Sequence, residues 1–172
     1  MTEVRDIHPS DEAAWRRQFV AYGVFYETAF DDTVLDGVWS WLMDAAHDVS
    51  ALVAVVGDRM VGFAHYRRTV DTFTAGPGWF LDDLFVDPAA RGSGAGEALV
   101  QAVIDRATED GGGTLRWITA ADNSTARRLY DRIATRTSWV TYEVETQTQT
   151  RPETSTQPET QTQPETQTQQ WG

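Results

Sequence analysis

Along the first 144 positions, apolar residues switch repeatedly between a two-residue period and a three-to-four-residue period. That alternation predicts strands interleaved with amphipathic helices. Val4 to Ile7 reads as a short first strand. Pro9 and Ser10 open a helix over about residues 11–26, with Ser10 as the expected N-cap and Trp15, Phe19, Tyr22 and Tyr26 on its inward face. Asp31 and Asp32 cap a second helix whose apolar side carries Val34, Val38, Trp41 and Ala45. Residues 51–56 and 60–67 read as strands joined by a turn at Gly57-Asp58-Arg59. A polar loop is expected over residues 69–77 and a further strand over 79–86, ending at Asp87-Pro88. Leu99, Val100, Val103, Ile104 and Ala107 mark the buried face of a helix over about 97–108, which Gly111-Gly112-Gly113 stops. A strand over 114–119, a helix over 124–133 and a last strand over 138–144 complete the pattern. This order predicts an α/β, or α+β, domain with a mixed sheet.

The pattern ends near Glu145. From Thr146 onward the chain is almost entirely Thr, Gln, Pro and Glu, and Pro-Glu-Thr recurs at residues 152, 158 and 164. With no apolar side chain before Trp171, this stretch has little to bury against its ordering entropy. The expected division is a folded domain at 1–144 and a disordered tail at 145–172, with a docking or spacing role for the tail as the alternative.

Composition narrows the chemistry. The chain has no cysteine, which excludes disulfides, thiolate metal sites and a cysteine nucleophile. His8, His47 and His65 form no spacing motif, so no metal site is expected. The net charge is −12, and every basic residue is an arginine. Residues 1–144 hold 22 acids against 13 arginines, a net −9, so the folded part is acidic in its own right. Such a surface repels nucleic acid and anionic membranes and favours cations, amines among them. No apolar run is long enough to span a bilayer, and the first residues lack a basic-then-apolar leader pattern. The expectation is a cytoplasmic protein with neither nucleic acid nor membrane as partner.

The stretch Arg91-Gly92-Ser93-Gly94-Ala95-Gly96 lies between an expected strand and an expected helix. Glycines there expose backbone N–H groups at the positive end of a helix dipole, a site suited to phosphate oxygens. A dinucleotide fold would carry Gly-x-Gly-x-x-Gly near the first strand; here the glycines are spaced Gly-x-Gly-x-Gly and lie past the middle of the domain. A nucleotide-triphosphate loop needs Gly-Lys-Ser/Thr, and the chain has no lysine.

Arg91-x-x-Gly94-x-Gly96 resembles the Arg/Gln-x-x-Gly-x-Gly/Ala signature of the GNAT superfamily of acetyl-CoA-dependent N-acetyltransferases. Val86-Asp87-Pro88-Ala89-Ala90 leads into it as is usual there, and Asn123 to Tyr130 resembles the family's Asn-x(n)-Leu-Tyr helix. Leu81-Asp82-Asp83-Leu84-Phe85-Val86 and Leu129-Tyr130-Asp131-Arg132 are similar to the branch grouped with histone and polyamine acetyltransferases. The resemblance covers about Val4 to Val144. It implies a mostly antiparallel mixed sheet with splayed central strands and about four helices, and acetyl-CoA as co-substrate.

By that resemblance, backbone groups of Leu84, Phe85 and Val86 hold the pantetheine arm and polarise the acetyl carbonyl. Arg91, Gly92, Ser93, Gly94, Ala95 and Gly96 hold the pyrophosphate. Asn123 bonds the pantetheine arm or caps its helix. Tyr130 protonates the leaving thiolate, packs in the core, or does both. Asp82 is the preferred base for the amine. Strand alternation would place Asp83 on the opposite face. Tyr22, Tyr26, Glu27 and His65 are the candidate acceptor wall. The implied reaction is direct attack by a small primary amine, a polyamine or a lysine side chain in a ternary complex. The alternative is an inactive acyl-CoA-binding module. The chain departs from the family after Ile133, where no Gly-Phe follows and there is space for one strand. The acceptor side is then open, or completed by another chain, as in a homodimer.

Overall fold

A computed structural model describes residues 2–146. The expected disorder of the repeat tail falls on residues outside that range, apart from its first two positions. The chain divides into a compact unit, Met1–Arg136, and a second unit, Thr137–Gly172. In the second unit the described residues are exposed and form neither helix nor strand. The strand expected over 138–144 is therefore not formed: Trp139, Val140, Tyr142 and Val144 stand open to solvent.

The compact unit is built on five strands, β1 (Glu3–Asp6), β2 (Val49–Val56), β3 (Arg59–Asp71), β4 (Gly76–Val86) and β5 (Thr114–Arg116). They lie side by side in sequence order. The first three pairings are antiparallel, and β4–β5 is parallel. The helices are α1 (Glu12–Phe25), α2 (Asp32–Met43), α3 (Ala95–Glu109) and α4 (Ser124–Ile133).

Two apolar layers sandwich the sheet. On one face α3 sets Leu99, Val100 and Val103 against Leu52, Ala64, Trp79 and Leu81. On the other, Trp15 and Phe19 of α1 and Leu35 of α2 pack on Val53, Phe63 and Phe85. By alternation, β2, β3 and β4 feed both layers, whereas β1 and β5 give Val4 and Leu115 to the α3 side alone. The predicted apolar stripe of α3 packs in the core; that of α1 is buried at Trp15 and Phe19, but Tyr22 is half-buried and Tyr26, at the helix end, is exposed.

Local corrections have local causes. Ser10 does not cap α1. The His8 imidazole accepts the Ser10 N–H at 3.3 Å while Asp11 accepts the His8 N–H at 2.8 Å, a reciprocal box around a single turn of 3₁₀ helix, Pro9–Asp11. Asp11 also holds Arg5 through two bonds of 2.7 and 2.9 Å. The polar loop expected over 69–77 shrinks to residues 72–75, because Thr69, Val70 and Asp71 pair with Gly78, Pro77 and Gly76. Those residues are polar because the hairpin runs beyond the core, with Val70 86% exposed; the backbone pairs regardless. The strand expected over 114–119 stops at Arg116.

Candidate functional site

The early end of β5 shapes the site. β4 pairs with β5 only through Gly78, Trp79 and Phe80. Beyond Phe80 the two strands part, and the β4 backbone at Leu84, Phe85 and Val86 borders a cleft of about 510 Å³. The loop 90–96 and the first turn of α3 form one wall, and Ala126, Leu129 and Tyr130 of α4 form the other. Tyr22, Phe25 and Tyr26, at the end of α1, close the third side.

The glycine loop has the backbone its composition foretells. Gly92 and Gly94 take φ of 81° and 85°, a left-handed conformation costly for other residues. Gly94 is the α3 N-cap without a side-chain cap bond. The first backbone N–H of the helix to bond back is that of Ala98, to Gly94 O at 2.9 Å. The N–H groups ahead of it have no intrahelical partner and stand at the cleft with Arg91 and Arg128. Ser93 is the exception in the predicted set: it is not among the cleft-lining residues, and its N–H bonds to Ala90 O. A cleft combining free strand edge, free helix N–H groups and three arginines, of which Arg132 is paired with Glu97 at 2.8 Å, fits a ligand with an amide-bearing arm and phosphates.

Asn123 lines the cleft and also caps α4, its Oδ1 accepting the Ala126 N–H at 3.2 Å. Tyr130 is half-buried, packed edge-on against Trp117 at 5.3 Å. Burial, with a smaller contribution from Tyr26, pushes its hydroxyl up to about 12, so the phenol stays protonated and able to donate.

The two aspartates depart from expectation, and neither is among the cleft-lining residues. The β3–β4 register slips between His65 and Tyr66, which pair with Asp83 and Leu81 and leave Asp82 as an extra residue. This β-bulge breaks the alternation. Leu81 and Leu84 both join the α3-side layer. Asp82 and Asp83 both face the other side, bonded to Arg67 and His65, which are themselves two apart on β3. The expected opposition of the two carboxylates is thus overturned. Leu81 and Leu84, three residues apart and both apolar, were the signal in the chain.

Arg67 Nε donates to both Asp82 oxygens at 3.0 and 3.1 Å. Burial nevertheless pushes the Asp82 carboxyl above its usual range; Arg67 pulls against this, and the neighbouring Asp83 charge adds to it. Asp83 goes the opposite way. Burial raises it, but His65 and the Tyr22 hydroxyl together hold it below the ordinary range. Tyr22 is pushed far up by burial and by Asp83.

His65 does not point into the cleft as a substrate ligand. Its side chain is fully buried and both ring nitrogens are bonded, Nε2 to the Trp15 indole and Nδ1 to Asp83, each at 2.9 Å. Glu27 also lies outside the lining set. Its φ of 54°, with the Thr28 N–H bonding to Gly23 O and the Glu27 N–H to Val24 O, makes it the left-handed residue of a Schellman cap ending α1. Among the described residues no group of three His, Asp or Glu stands ready for a metal, and no helix is long and apolar enough to cross a membrane.

Comparison with known proteins agrees with this geometry. The family model described as "Acetyltransferase (GNAT) family" matches residues 7–134. The D-amino-acid N-acetyltransferase HPA3 of Saccharomyces cerevisiae is 30% identical over 143 residues, 81% of this chain and 88% of the yeast protein. An uncharacterised N-acetyltransferase of Bacillus subtilis, YhfO, is 33% identical over 131 residues, 75% of this chain and 86% of its own. A solved ribosomal-protein-alanine N-acetyltransferase from Brucella melitensis superposes with a TM-score of 0.71 at 21% identity, covering 85% of this chain and 99% of that one.

Proposed function

The chain belongs to the GNAT family of acetyltransferases, enzymes that move an acetyl group from acetyl-CoA to an amine, and we propose that it does so by direct attack of a neutral primary amine in a ternary complex. The observation carrying this reading is the parting of β4 from β5 beside the glycine loop. It aims unpaired strand backbone and helix N-terminal N–H groups into one cleft.

Acetyl-CoA supplies an activated thioester. The chain's residues hold and orient it and manage protons. The N–H groups at Gly94, Ala95 and Gly96, with Arg91 and Arg128, take the pyrophosphate. Leu84 to Val86 take the pantetheine arm by strand addition and offer an N–H to the acetyl oxygen, where negative charge develops. Tyr130, held protonated by its burial, donates to the departing thiolate. An alkyl amine is mostly cationic at neutral pH, with a reference pKa of about 10.4, so it must shed a proton before attack. Asp82 takes that proton through water: its raised pKa brings it nearer the operating pH, as suits a base, and it shares the bulge with the ionised Asp83, which attracts the cation.

Tyr22 and Tyr26 form the acceptor wall. The acidic surface favours cationic amines, and the yeast relative adds D-amino acids to the classes to be tried. The test is thiol release from acetyl-CoA across polyamines, D- and L-amino acids, simple alkyl amines and lysine peptides. Turnover on at least one class supports the reading. Tight coenzyme A binding without turnover on any of them favours the inactive binding module.

A further inference from the structure

Behind Asp83 lie two buried polar side chains, Trp15 and His65, that the proposed reaction leaves without a role. Trp15 of α1 is completely buried, and its indole N–H donates to His65 Nε2 at 2.9 Å. An indole nitrogen only donates. Nε2 is therefore the acceptor, and the ring proton sits on Nδ1, where it is donated to Asp83 Oδ2 at 2.9 Å. Phe63 and Phe19 box the imidazole with ring centroids 4.6 and 5.2 Å away, so it has no room to turn over. Asp83 is thus the end of the series that meets Tyr22, itself a cleft-lining residue.

We propose that Trp15 and His65 are positioning residues for the acceptor half of the reaction: the indole fixes the imidazole tautomer, and the imidazole N–H holds Asp83 as an oriented anion next to Asp82. This rests on the acetyltransferase reading given above. The bulge is what makes it work, because it sets Asp82 and Asp83 on one face. An anion fixed beside Asp82 strengthens Asp82 as a proton acceptor and adds negative potential where an ammonium arrives. Two neighbouring carboxylates whose surroundings drive them apart is the pattern by which acid–base roles are divided within a site. The titratable and charged groups facing Asp83 are His65 from β3, Asp82 with its Arg67 across the bulge, and Tyr22 from α1 with Tyr26 behind it.

Trp15→Phe tests the lock while keeping an aromatic ring in the core. Without the indole N–H, Nε2 loses the donor that keeps it bare, and the ring can carry a proton on both nitrogens. The ring beside the aspartates then becomes positive and weakens Asp82 as a base. The expected result is a kcat lower by roughly tenfold, the scale on which loss of an outer-shell partner acts, with KM for acetyl-CoA unchanged. The acid limb of kcat/KM for the amine moves to lower pH. His65→Asn, which keeps an N–H donor near Asp83 but cannot titrate, should retain the parent's acid limb. His65→Leu, similar in size without a donor, should lose more activity than His65→Asn.

Nitrogen-15 spectra of the parent's imidazole read the tautomer independently of turnover, and should show Nδ1 protonated and Nε2 bare. An active parent whose pH profile is unmoved in Trp15→Phe, or spectra showing Nε2–H, overturns the positioning role. A parent with the expected tautomer but no thiol release on any amine overturns the acetyltransferase reading itself, and the role with it.

Discussion

Arg67 and Tyr130 allow the proposed proton transfers to be tested one at a time. Arg67 is the cation drawing Asp82 downward, so Arg67→Gln should raise the Asp82 pKa. The acid limb of kcat/KM for the amine then moves to higher pH; a limb that stays put removes Asp82 as the base. Tyr130→Phe keeps the ring that packs on Trp117 and deletes the donor. Turnover should fall at least about tenfold, the lower end of what a lost acid costs being larger still, while coenzyme A affinity from calorimetry stays close to the parent's. An unchanged rate ends the acid role. Glu27 tests the opposite kind of claim. As the left-handed cap of α1 it carries backbone strain, so Glu27→Gly should raise stability by about 1 kcal/mol, read from denaturant unfolding, and leave kinetics with cationic amines alone. A rise in KM confined to cationic amines would return Glu27 to the substrate wall.

At the scale of elements, the proposed mechanism divides the labour of holding the donor between the glycine loop and β4. Gly94 takes φ of 85°, and a Cβ built there meets nothing within 4 Å. Gly94→Val therefore acts through the backbone, with a cost to stability of about 1–2 kcal/mol and N–H groups turned away from the phosphate position. Coenzyme A affinity should drop while the fold, followed by circular dichroism, persists; retained affinity would put the phosphate site elsewhere. Gly96 differs, since a Cβ there meets Leu129 and Val86 at an ordinary 3.6 Å. The loop, its flanking strand and α3 were legible from residue type alone, because glycine, proline and a helical apolar stripe act locally. The bulge was legible only to a reader who noticed that Leu81 and Leu84 cannot share a face by strict alternation. The partners of the two aspartates were not legible, since Arg67 and His65 are some fifteen and eighteen residues away.

Across the whole molecule, the compact unit ends at Arg136, and the family model ends at residue 134. Deleting residues 146–172 should leave coenzyme A binding and thiol release intact; loss of both would show that the working unit extends into the repeats. The acidic charge and the absence of cysteine were plain from composition, and the latter rules out an acyl-cysteine intermediate. By itself the sequence determined the order of elements as far as α4, the glycine loop between β4 and α3, and the family, because these depend on near neighbours in the chain and on backbone permissiveness. Only the tertiary structure decided that His65 is buried behind the site, that Asp82 and Asp83 share a face, and that β5 stops short and opens the cleft. Each of these depends on strand register and on contacts between distant residues, which a linear pattern does not specify.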